Sequence, residues 1–116
     1  MKIIQENRDD CFLLRIEGSL ANEYLSDFDK DLRSAVASRK HIILDLVKLT
    51  FLTSSALSLF LRYNNMMRSE NLFFILLGLQ EDLKKIFEIT QVDRHLTLCD
   101  DYAQAEKLIG GGGTPD

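Results

Sequence analysis

The sequence predicts an α/β fold, with a mixed, mostly parallel sheet of about five strands and about four helices. Three observations carry this expectation. Two near-continuous apolar runs, His41 to Leu46 and Leu72 to Leu77, have the length of strands covered on both faces. Amphipathic stretches of helical spacing lie between the strand candidates. Strands alternating with helices imply parallel pairing through right-handed crossovers.

Lys2 to Glu6 reads as a short strand, and Asn7-Arg8-Asp9-Asp10 as a polar turn. Cys11 to Glu17 alternates Phe12, Leu14 and Ile16 against Leu13, Arg15 and Glu17, the pattern of a half-buried strand. The pair forms a hairpin that Gly18 closes, giving the sheet an antiparallel edge. Asn22 to Ser38 is an amphipathic helix with Leu25, Phe28, Leu32, Ala35 and Val36 as its buried stripe. Ser26 with Asp29 resembles a capping arrangement, so this helix starts at Asn22 or later. His41 to Leu46 is the first covered strand and Leu57 to Arg68 a helix. Leu72 to Leu77 is the second covered strand, ended by Gly78. Leu79, Leu83, Ile86 and Phe87 mark a further helix, and Gln91 to His95 a connector. Leu96 to Cys99 is a short strand. Asp100 or Asp101 caps a last helix through Ile109, with Tyr102, Ala105, Leu108 and Ile109 on one side. Residues 1–109 thus form one domain, and the glycine-rich stretch from Gly110 to Asp116 is expected to be a flexible tail.

Composition narrows the function. The chain has 116 residues, 46% hydrophobic and 28% charged, with formal net charge -4. A mildly acidic protein without a basic run is a poor binder of nucleic acid, which requires concentrated positive charge. No apolar stretch reaches membrane-spanning length, and no leader pattern opens the chain, so a cytoplasmic protein without membrane insertion is expected. Cys11 and Cys99 sit in separate apolar runs and read as reduced, buried thiols. His41 and His95 lack ligand spacing, so neither a metal nor another cofactor is expected. No Gly-x-Ser-x-Gly elbow, phosphate loop or zinc pattern appears, which leaves an enzyme reading without support.

The chemistry concentrates instead in Phe51-Leu52-Thr53-Ser54-Ser55-Ala56-Leu57. This stretch joins a strand to a helix start, where backbone N–H groups are unpaired and the helix dipole is positive. Capping, anion binding or a regulated phosphate all suit such a place. On a helical wheel, Leu59, Tyr63, Ala56, Met67, Phe60, Leu57 and Leu61 spread over more than half the circumference, with Asn64 interrupting. Either neighbouring helices cover the excess, or one flank is an apolar patch for a partner. Ser54, Ser58, Arg62 and Asn65 occupy the polar arc, with Ser55 at its edge beside Leu59.

The strand His41 to Leu46, followed by Phe51 to Leu57, resembles the STAS domain, typified by bacterial anti-sigma factor antagonists. Gly18-Ser19-Leu20 resembles the family's Gly-x-Leu, and Asp101-Tyr102 with Ala103-Gln104-Ala105 resembles its final helix. The likeness extends over residues 3–109. It implies a protein-binding switch, not an enzyme. The partner would be an anti-sigma factor, often a serine-protein kinase, that phosphorylates a serine at the start of the central helix. Carried over, the acceptor is Ser55, with Ser54 second. Thr53, Ser54, Ser55, Ser58, Leu59, Arg62 and Met66 would form the partner-binding face. Asp45 resembles the acid ending the family's strand and suits a structural role in binding loop amides. Thr53 stands where the family usually has Asp, and Ala56 where it usually has Gly. A second reading is a constitutive adaptor, the soluble subunit of a lipid-transport ATPase or part of a signalling assembly. The residues leave the individual partner and the oligomeric state open.

Overall fold

A computed structural model describes residues 1–110. Its sheet has the strand order β1-β2-β3-β5-β6, with β4 pairing to β2 off that path. The strands are β1 Lys2–Asn7, β2 Cys11–Leu20, β3 His41–Asp45, β4 Leu49–Leu52, β5 Phe74–Leu77 and β6 Thr97–Cys99. The helices are α1 Leu25–Ala37, α2 Ser54–Ser69, α3 Glu81–Ile89 and α4 Tyr102–Gly110. Single 3-10 turns lie at Asn22–Tyr24 and Val92–Arg94. The predicted α/β architecture holds, including the opening hairpin, in which β1 and β2 pair antiparallel. The ladders β2–β3, β3–β5 and β5–β6 are all parallel.

The core lies in two layers. The larger joins Leu14, Ile16, Ile42, Leu44, Phe74 and Leu76 of the sheet to Phe28 and Leu32 of α1, Phe60 and Met67 of α2, and Leu83 and Phe87 of α3. The smaller joins Cys11, Leu13, Ile43, Ile75 and Cys99 to Ala105 of α4. Strand alternation explains this division, since successive residues of β2 and β3 face opposite layers. Cys11 and Cys99 are both buried and free. With β3 and β5 between their strands, a spacing of ~4.8 Å per strand holds them too far apart to bond.

Several boundaries differ from expectation, each for a local reason. β2 does not end at Gly18. The register shifts between Gly18 and Ser19, and the strand continues to Leu20 in parallel pairing with β4. Gly18 sits at φ +93, which a residue without Cβ adopts freely. The sixth strand, β4, takes residues that read as part of a turn. α1 begins at Leu25, because Asn22–Tyr24 closes a tighter turn first. Neither Ser26 nor Asp29 caps it; the helix has no side-chain cap hydrogen bond. β5 starts at Phe74 and β6 at Thr97, each later than the apolar runs suggested. The last helix includes Gly110, which the sequence placed in the tail. The rest of that tail, 111–116, lies outside the described residues.

Candidate partner-binding site

The turn before α2 is built from three directions. Thr53 N–H donates to the Leu20 carbonyl at 3.3 Å, so the end of β2 fixes where the turn begins. Thr53 itself is extended, with φ -88 and ψ 166, and its Oγ1 accepts from Ala56 N–H at 3.3 Å. That makes Thr53 the N-cap of α2. The Thr53 carbonyl accepts the Leu57 amide at 3.1 Å, the first α-helical bond.

Because Thr53 caps, the two serines do not have to. Ser54 and Ser55 are both exposed, and their amides are the first two of the helix, which lack intrahelical acceptors. The first turn of α2 carries no acidic residue. A positive helix end, free amides and two open hydroxyls therefore share one spot. Ala56 is fully buried within the helix, so its methyl group is core packing and the position has no need of glycine.

The apolar excess on α2 divides between burial and exposure. Ala56, Phe60, Tyr63 and Met67 are buried, while Leu57, Leu59 and Leu61 are partly covered by the core. Met66 stays 45% exposed, and Phe51 of β4 stays 51% exposed just before the serines. Val47, in the loop from β3 to β4, is 52% exposed. The apolar rim thus extends into β4 and its preceding loop, which sequence reasoning missed. The polar interruption, Asn64, is buried and donates to the His95 carbonyl at 2.7 Å, tying α2 to the segment before β6.

Ser58 is exposed, and its hydroxyl donates back to the Ser54 carbonyl at 3.1 Å. Arg62 is exposed but engaged, since its Nη2 donates to Asp29 Oδ1 at 3.1 Å. Asp29 also accepts from Arg33 Nη2 at 2.6 Å and from the Tyr63 hydroxyl. The Tyr63 hydroxyl, then the Arg33 and Arg62 guanidiniums, hold this carboxyl below the ordinary aspartate range. Burial and the Asp29 charge push Tyr63 up. Asp29 therefore clamps α1 to α2 beneath the candidate face. Arg33 pairs with it one turn along the same helix, at i,i+4, whereas the Arg62 and Tyr63 partners come from a separate element.

Asp45 ends β3 with both carboxylate oxygens engaged. Its Oδ1 accepts from Val47 N–H at 3.2 Å, and its Oδ2 accepts from Arg15 Nε at 3.1 Å. Arg15, Asp45, Val47 and Lys48 line an open depression of about 220 Å³. Gly78 brings the next loop against this one. A Cβ there would stand 2.4 Å from Val47 Cγ2, at φ +75. Gln80 Nε2 donates to the Val47 carbonyl at 3.1 Å and holds the same contact. No helix among the described residues is long and apolar enough to cross a membrane.

Comparison with known proteins gives a consistent answer. A Thermotoga maritima protein described as a candidate anti-sigma factor antagonist superposes with TM-score 0.84 at 21% identity, covering 93% of this chain and 94% of that one. The anti-sigma factor antagonist SpoIIAA in its unphosphorylated form gives 0.73 at 18% identity, covering 96% and 99%. The Bacillus cell fate determinant SpoIIAA in its phosphorylated form gives 0.70 at 16% identity, covering 92% and 99%. These likenesses establish the fold. The sequence model of the STAS domain matches residues 2–105, nearly the whole chain, and the protein belongs to the STAS domain family.

Proposed function

We propose that this STAS domain is an anti-sigma factor antagonist, a switch that binds an anti-sigma factor with serine-kinase activity and is released by phosphorylation. Ser55 is the acceptor, with Ser54 the alternative. The observation that carries this reading is the division of labour at the start of α2. Thr53 performs the capping, and both serine side chains remain in solvent, with exposed Phe51 just before them in the chain and Leu59 one helical turn after Ser55. The SpoIIAA neighbours, seen in phosphorylated and unphosphorylated forms, support a phosphate switch on this fold.

A phosphoserine carries about -1.5 to -2 charges at neutral pH. The amides of Ser54 and Ser55 receive such a charge in the free protein. In a complex the same charge has to be desolvated against the partner's apolar surface, which opposes binding. Thr53 in place of the family's acid preserves the cap and removes a negative charge beside the acceptor. Incubation with the cognate kinase and ATP should give one phosphoserine, at 55 or 54 by mass spectrometry, and the complex should dissociate. A stable complex with neither serine modified would overturn the switch and leave the constitutive adaptor.

A further inference from the structure

β1 is an edge strand with a self-complementary pattern, and we propose that a second copy of this chain docks on it antiparallel, joining the two sheets across a two-fold axis at Ile4. No strand among the described residues pairs with its outer side. The helix layer stops short of it, leaving five of its six residues exposed. Natural edges are commonly blunted by proline, a bulge, a very short strand or charged side chains. β1 has none of the first three, its register with β2 is unbroken from Lys2 to Asn7, and its charges, Lys2 and Glu6, are of opposite sign and placed to pair across a two-fold axis.

The hairpin fixes which backbone groups point outward. Arg8 N–H donates to the Cys11 carbonyl at 2.9 Å across a two-residue turn, which makes Arg8 and Cys11 a hydrogen-bonded pair. Such pairs alternate along an antiparallel ladder, so Lys2, Ile4 and Glu6 also bond to β2. Ile3 and Gln5 therefore turn their N–H and C=O groups away from the sheet. A two-fold axis at Ile4 sets Ile3 against Gln5 of the partner subunit, and both pairs exchange backbone hydrogen bonds.

The side chains choose this register. Ile4, 37% exposed, meets its symmetry mate at a non-hydrogen-bonded site, where side chains approach most closely. Lys2 meets Glu6 of the partner subunit, twice. Centring the axis on Ile3 or on Gln5 would set Ile4 against Lys2 or Glu6 instead. Flanking charges agree with the arrangement. Lys2 lies beside Glu17 on β2, and Ile4 beside Arg15, whose charge is taken by Asp45. Glu6 is held at 3.1 Å by Arg8, so it would lie between two cations. The α2 face stays free, giving a dimer with two partner-binding surfaces.

The contact is short, and the dimer is expected to form reversibly with concentration. Sedimentation equilibrium of the full chain should show a monomer–dimer exchange. Lys2→Glu or Glu6→Lys alone sets like charges opposite each other at two places, which should weaken the dimer about tenfold. Lys2→Glu combined with Glu6→Lys restores opposite pairs and should recover it. Gln5→Pro removes an outward N–H without touching the β1–β2 ladder, and should give a monomer with unchanged circular dichroism. A wild-type chain that stays monomeric to its solubility limit would overturn the proposal. So would a dimer that survives Gln5→Pro, or a double charge exchange that fails to restore association.

Discussion

His41, at the start of β3, has its protonation state set by its surroundings. The Phe73 amide donates to His41 Nδ1 at 2.9 Å, which requires that nitrogen to be unprotonated. Burial lowers the ring's pKa, opposed by the more distant charge of Asp10. On acidification the unfolded chain therefore binds a proton before the folded one does. Stability should fall as pH drops below about 6.5, the ordinary histidine value. Denaturant midpoints followed as pH falls through and below about 6.5 should show that slope in the wild type and lose it in His41→Gln. Asp29, whose folded pKa is lowered, acts in a separate window. Its contribution is present above the ordinary aspartate value and is lost as pH falls below it. Neither residue's role was legible in the sequence. The partner of His41 arrives 32 residues later, and the α2 partners of Asp29 33 and 34 later, beyond the reach of any local pattern.

For α2, the observed cap makes unequal demands on three neighbouring hydroxyl residues. Thr53→Ala removes the bond to Ala56 N–H and should cost about 1 kcal/mol in chemical denaturation. Ser54→Ala and Ser55→Ala remove no cap and should change stability by less than about 0.5 kcal/mol. A larger loss at either serine would mean that it shares the capping role. The sequence localised this turn because an apolar strand, a hydroxyl cluster and a helical period follow one another directly. It hid β4 because only Leu49 of its four residues is buried, which leaves no alternation to read. β4 also depends on β2 continuing past Gly18, and the register shift there has no hydrophobic signature. The consequence reaches the candidate site, since β4 presents Phe51 to solvent just before the serines in the chain.

Across the whole molecule, α2 is anchored through the core it shares with the sheet, α1 and α3, while its candidate surface buries little. Ser54 and Ser55 are exposed and Met66 is half-exposed, whereas Ala56, Phe60 and Tyr63 anchor the opposite side of α2. Charge added at the serines should therefore move stability and binding in opposite directions. The first turn of α2 has no acidic residue, so Ser55→Glu places an anion where the dipole is unopposed. It should stabilise the fold by about 0.3–1 kcal/mol at low ionic strength. Added salt should shrink that gain by screening. The same substitution should weaken the partner complex tenfold or more, because the carboxylate loses its water on docking (a cost of ~2 kcal/mol or above). Thermal melts and titration calorimetry on one preparation separate the two effects. A variant that loses both stability and affinity would show that binding failed through damage to the helix. Stability retained with affinity lost is the outcome expected of a surface read by a partner and carried by a scaffold indifferent to its charge.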